Sequence, residues 1–255
     1  MTRTGQPPQI QVSVAIPGLL SFLAGYVDGA IFLALFGVYV AQLTGSFVIA
    51  GAEIVSHDET VIIRVVGIPV FLGAAVLCTV VSTVAYRHGR FPLVYALGLE
   101  SMLLIAMLIA ALAGGPFRDA NAPAALLTSM LGLSAMGTQS ALVRLLMKGV
   151  ASTNVMTTNT TVVAIDVTDM LIAWHDRWKN PVDPAARDQY DAARRRFALL
   201  WPLGVGFFLG TLAGALACQA VGLWCLIVAI AIVLGITGWE SRRERNERRR
   251  SRPAV

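Results

Sequence analysis

The sequence predicts an all-α integral membrane protein with six transmembrane helices. They form two inverted three-helix repeats, each with a short interfacial or re-entrant helix after its first span. Three observations predict this. Of 255 residues, 56% are hydrophobic and only 14% charged, and several apolar runs reach the roughly 20 residues that cross a hydrocarbon core. A short pattern occurs twice, as Gly25-Tyr26-Val27-Asp28 followed by Leu43-Thr44-Gly45-Ser46, and as Gly137-Thr138-Gln139-Ser140 followed by Met156-Thr157-Thr158-Asn159. Lysines and arginines also gather on one side of the apolar runs, which sets orientation.

Taken in order, residues 1–13 form a disordered polar lead on the cytoplasmic side. The first span, Val14 to Val40, is too long for the apolar core of a secretory signal and holds Asp28 near its middle. Ser46 to Val55 is too short to cross and ends in the acidic loop His57-Asp58-Glu59. Val61 to Ala85 and Leu93 to Ala113 are the second and third spans, completing a first repeat at about residues 14–113. The second repeat, about 124–239, opens with Ala124 to Met147 and continues into Thr160 to Trp174, a segment interrupted by Asp166 and Asp169. After the linker Asn180-Pro181-Val182-Asp183-Pro184, residues Ala185 to Arg196 extend the fifth span as a helix into the cytoplasm. The fifth and sixth spans are Ala198 to Ala217 and Gly222 to Trp239. One transmembrane domain, 14–240, is thus followed by a basic tail, 241–255.

Of the 20 lysines and arginines, only Arg64 and Arg118 are left for the outer side, so both termini are placed in the cytoplasm of a multi-pass inner (plasma) membrane protein. The loops around Asp58 and Asn121 then face outward. A three-span unit repeated in tandem enters from opposite sides, which makes the halves inverted copies. Phe71-Leu72-Gly73 and Phe208-Leu209-Gly210 stand at similar places in the two halves. Small residues at helical spacing, Ser21, Gly25 and Gly29 against Gly206, Gly210 and Gly214, mark the tightest helix contacts, because packing and not hydrophobicity must join helices in lipid.

On these residues the chain resembles the YoaK-like family of uncharacterised six-span bacterial inner-membrane proteins. The resemblance rests on Gly25 to Asp28, Leu43-Thr44-Gly45-Ser46, Gly137 to Gln139 with Ala141-Leu142-Val143-Arg144, and Met156-Thr157-Thr158-Asn159, and it covers nearly the whole chain. It implies turns that more often read Met-Thr-Gly-Asn and a fourth span with Gln-Asn. Here Ser46 and Ser140 replace asparagines and Thr158 replaces a glycine. The resemblance implies a fold and no settled activity.

Asp28 lies roughly 20 Å above Val14 and 18 Å below Val40 at about 1.5 Å per residue. A carboxylate at that depth needs a partner, and serves either as an ion or proton site or as a structural hydrogen bond between helices. Gln139 and Ser140 take a similar place in the second half, as ligand contacts or as a helix-to-helix link. Thr44, Gly45 and Ser46, and Thr157 and Asn159, each open a helix whose N-terminus binds an anion or is merely capped. Glu100 and Asp166 are secondary candidates. Glu100 is either structural or snorkels to the inner interface, and Asp166 with Asp169 either holds a cation or is a solvated acidic pair.

The function expected is a secondary transporter or facilitator for an unknown small solute or ion, in contact with the lipid bilayer and with a homo-oligomer as an open alternative. A structural or regulatory membrane protein that binds a partner or lipid without transport is the competing reading. No enzyme motif is visible, so no catalytic residue and no cofactor are expected. No metal is expected either, since the three histidines fall in loops and the three cysteines lack Cys-x-x-Cys spacing. The arginine tail is an anchor near anionic lipid and not a nucleic-acid site.

Overall fold

The computed structural model describes residues 5–13, 15–56, 61–179 and 184–250; His57 to Glu59, the linker from Asn180 to Asp183, Arg3 and Arg252 lie outside them. Among the described residues eight α-helices make the body: α1 (Ala15–Ala34), α2 (Leu43–Ser56), α3 (Val61–Arg87), α4 (Pro92–Gly114), α5 (Pro123–Leu146), α6 (Met156–Lys179), α7 (Pro184–Val221) and α8 (Leu226–Arg250). Prolines at the first positions of α4 and α5 start those helices where an amide would go unused. Gly89, at φ +68°, ends α3: the N–H of Arg90 bonds back to Ala85 O at 2.9 Å.

Among the described residues, five helical stretches are long and apolar enough to cross a membrane: four single helices and the continuous stretch Pro184–Asn246, which contains α7, the 3-10 turn Gly222–Cys225 and most of α8. Their outer faces leave Val76, Ile109, Phe208, Trp201, Trp224 and Trp239 exposed, and Val48 on α2 and Trp174 and Trp178 on α6 are exposed as well. Such a surface fits contact with lipid.

Close backbone approaches fix the packing. A Cβ added to Gly25 would fall 2.1 Å from Phe207 O and one added to Gly29 2.3 Å from Thr211 O, as one on Gly210 would fall 2.0 Å from Phe22 O and one on Gly214 2.0 Å from Tyr26 O, so α1 and α7 lie parallel with backbones touching. The expected small-residue faces are therefore apposed. A Cβ on Gly137 would fall 2.6 Å from Phe71 O and one on Gly67 2.6 Å from Leu133, so α3 and α5 are a second parallel pair. Gly114 approaches Ala124 and Gly132 approaches Met107, which makes α4 and α5 antiparallel. Leu223 meets Gly115 while Ser241 and Arg245 share a cleft with Arg90, so α8 runs antiparallel to α4.

Two expectations change. The apolar run Val14 to Val40 is not one helix: α1 stops at Ala34, and Phe36 and Gly37 take positive φ (53° and 74°), which turns the chain back on itself. The segment expected as short, Thr160 to Trp174, belongs to the 24-residue α6, which is long enough to span but is absent from the apolar stretches. Its acids and His175-Asp176-Arg177 dilute its hydropathy, and its stability comes from packing on α7.

Candidate functional site

Because the chain reverses at Phe36-Gly37, Val40 is not far above Asp28 but bonded to it. The N–H groups of Val40 and Ala41 donate to Asp28 Oδ1 at 2.7 and 2.9 Å, and Gln42 Nε2 donates to Oδ2 at 3.2 Å. Asp28 is buried. Its carboxyl group therefore holds the returning segment just ahead of α2. Thr44, Gly45 and Ser46 form the first turn of α2, as expected. Ser46 is buried and its hydroxyl donates to Tyr39 O at 3.4 Å, Gly45 packs beside the Tyr39 ring, and Thr44 points outward.

A second polar network lies in the C-terminal half. After α5 the chain returns to the level of Gln139, whose Nε2 donates to Leu20 O at 2.8 Å and to Thr153 Oγ1 at 3.1 Å. Thr153 Oγ1 donates to Asn154 Oδ1 at 3.0 Å, and Asn154 Nδ2 donates to Met136 O at 3.4 Å. Ser21 Oγ contacts both Leu203 O, at 2.7 Å, and Thr153 O, at 3.3 Å, which joins α1, α7 and the returning segment. Asn159 in the first turn of α6 donates to Ser152 O at 2.8 Å, spanning the same seven residues as Ser46 to Tyr39. Thr157 is exposed and Ser140 half-buried at the edge of the network.

The structure brings together Asp28, Gln42 and Ser46 in one half, and Gln139, Thr153, Asn154 and Asn159 in the other. The two sets meet where Gln42 and Asn159 line one cavity of about 620 Å³ with Thr160, Trp201, Phe207 and Thr211. Gln42, Thr153 and Asn154 were not singled out from the sequence. The polar run Ser152-Thr153-Asn154 ahead of Met156 was the available signal.

The secondary candidates sit apart. Glu100 on α4 is fully buried, so it does not snorkel, and neither carboxylate oxygen has a partner among the described residues; Cys78 of α3 lies beside it. Asp166 is buried and not solvated. Arg196 of α7 donates to Asp166 Oδ1 at 2.8 Å and to Asp169 Oδ2 at 3.2 Å. Seven residues after Ser46, as Asp166 is seven after Asn159, stands Glu53, which is ion-paired to Arg64 of α3. Each of α2 and α6 is thereby tied to the next helix by a buried acid and an arginine. Among the described residues no group of three or more His, Cys, Asp or Glu could hold a metal ion.

A double-mutant cycle is expected to give a coupling energy of about 1–3 kcal/mol for Glu53 with Arg64. For Asp166 with Arg196 about 0.5–1 kcal/mol is expected, because half of the Arg196 side chain is exposed and water competes. Unfolding in detergent measures both, and a zero for Glu53–Arg64 would mean that the α2–α3 hairpin is held by packing alone.

Apolar helices with polar groups pinned at their centre define a helical protein that fits a multi-pass membrane protein. The chain belongs to the family described as "Protein of unknown function (DUF1275)", whose model matches residues 16–239. No curated protein and no solved structure matches it.

Proposed function

We propose that the chain is a six-span, non-enzymatic secondary transporter or facilitator of a bacterial inner membrane, with both termini cytoplasmic, built from two inverted repeats. The sixth span comes from dividing the stretch Pro184–Asn246 at Gly222, whose φ is +61°. One observation carries the reading: contacts recur when the halves are exchanged. Gly25 lies on Phe207 as Gly137 lies on Phe71, Ser46 reaches Tyr39 as Asn159 reaches Ser152, and Glu53 pairs with Arg64 as Asp166 pairs with Arg196. Like halves around a central site are how transporters alternate access.

The solute site proposed is the level of Asp28 and Gln139, where the two returning segments meet. In that network Gln139 Oε1 is a buried acceptor without a partner among the described residues, so a solute reaching it must donate, as a cation or through an N–H or O–H group. The competing scaffold reading has its own support, since Asp28 is already satisfied by the chain's own donors.

Uptake and thermal-shift measurements in proteoliposomes, across ions and small metabolites, test the proposal. At least one solute is expected to raise the melting midpoint and to be taken up, and Gln139→Leu is expected to weaken both responses about tenfold, the loss of one hydrogen bond to a buried group at about 1.4 kcal/mol. Absence of any response across the screen would leave the scaffold reading. Reporter fusions at Asp58, Asn121, Asp183 and the C-terminus check orientation, and external labelling at Asp183 would overturn the inverted arrangement.

A further inference from the structure

The face of the protein away from the polar network carries two adjoining cavities that neither reading uses. One, of about 670 Å³, lies between α3, α4 and α8; the other, of about 410 Å³, lies along α3; they share Val81, Arg90 and Tyr95. Arg90 sits in the turn before α4. Its guanidinium donates to the Tyr95 hydroxyl and lies over that ring, 5.5 Å from the centroid, which holds its remaining donors at the rim. Arg245 of α8 lines the same rim, as do Ser241 and Glu244, so two guanidiniums stand against one carboxylate. From this rim the larger cavity runs along Val94, Gly98, Leu99 and Met102. The ten helical steps from Pro92 to Met102 rise about 15 Å, half of a hydrocarbon core of about 30 Å.

We propose that this pair of cavities binds one anionic diacyl phospholipid, its phosphate between Arg90 and Arg245 and its two chains in the two slots. A cationic rim alone would suit any phosphate. An apolar slot of half-bilayer depth below it, forked at Arg90 and Tyr95, fits an amphiphile with two tails. The arginine-rich end of the chain faces the leaflet that holds anionic lipid under the proposed orientation, and basic pockets between helices on that side recognise such headgroups. The site depends on neither the duplication nor transport.

The test uses the full-length protein in phosphatidylcholine bilayers with and without phosphatidylglycerol, read by thermal unfolding and by lipid retained in native mass spectrometry. Phosphatidylglycerol is expected to raise the wild-type midpoint and to leave one bound lipid per chain. Both effects are expected to disappear in Arg90→Gln/Arg245→Gln. They should also disappear in Gly98→Leu, which changes no charge: a Cβ there meets nothing within 4 Å, so the helix tolerates it while the side chain fills the slot. Neutralising Arg248, Arg249 and Arg250 should leave both effects in place. The proposal is overturned if all variants respond like wild type, if only the tail variant loses the response, or if inorganic phosphate alone reproduces the shift.

Discussion

Asp28→Ala is expected to destabilise the protein by roughly 2–6 kcal/mol, because it strands two buried N–H groups that each cost about 1–3 kcal/mol unpaired. Those groups belong to Val40 and Ala41, which have the Asp28 carboxylate as partner at 2.7 and 2.9 Å. Without it the segment after the reversal keeps only the turn bonds of Gly37 and Val38 and the contacts of Ser46 with Tyr39 O and Arg64 with Phe36 O. Asp28→Asn keeps an oxygen for both N–H groups, and Gln42 can turn its amide to accept from the new NH₂. Its expected loss is about 1 kcal/mol or less. Denaturation in detergent separates the two variants. Equal stability of the alanine variant and the wild type would mean that the returning strand is held by something other than Asp28. The asparagine variant also divides the two roles of the carboxylate: if it folds and still responds to every ion that stabilises the wild type, Asp28 is a brace and not a coupling site.

The parts of this architecture that were legible in the sequence are those that leave a local mark. Gly25, Gly29, Gly206, Gly210 and Gly214 announced a close contact because small residues at helical spacing have few other uses inside a membrane. Thr44 to Ser46 and Thr157 to Asn159 announced helix starts by their composition. Hydropathy reports what surrounds a residue but not the direction of its chain. The reversal at Phe36-Gly37 was therefore hidden within an apolar run, and Asp28 was assigned a depth without its partners. Glu53 and Arg64 were equally silent, since a lone acid in a short apolar segment and a lone arginine in a span look like exceptions until they are seen together. The bonds of Ser21 to Thr153 and Leu203 cross more than a hundred positions, and nothing in either neighbourhood foreshadows them.

Gly25→Ala and Gly210→Ala are expected to be among the most damaging single-methyl additions in the chain. Each Cβ would lie 2.0–2.1 Å from a carbonyl oxygen of the opposite helix, and backbone cannot yield as a side-chain tip can. Overpacking of this kind costs about 1–3 kcal/mol or more, and here the two helices must separate along their whole seam. Gly137→Ala, 2.6 Å from Phe71 O, is expected to fail similarly at the α3–α5 seam. Gly73→Ala and Gly235→Ala meet nothing within 4 Å and serve as controls; each should be neutral or stabilising by up to about 1 kcal/mol, the helix preference of alanine over glycine. Monodispersity on size exclusion and the melting midpoint report all five. If Gly137→Ala behaves like the controls while Gly25→Ala does not, the two halves do not share a construction, and the inverted-repeat proposal falls with that result. Gly206 adds a finer distinction, because its Cβ would sit 3.1 Å from Gly18 O, tight but tolerable. Gly206→Ala is expected to fold within about 1 kcal/mol of the wild type. If α1 and α7 slide during transport, it should nevertheless slow uptake. A folded Gly206→Ala with wild-type uptake would make this seam a fixed joint, and any movement would then have to occur between the α1–α7 pair and the α3–α5 pair.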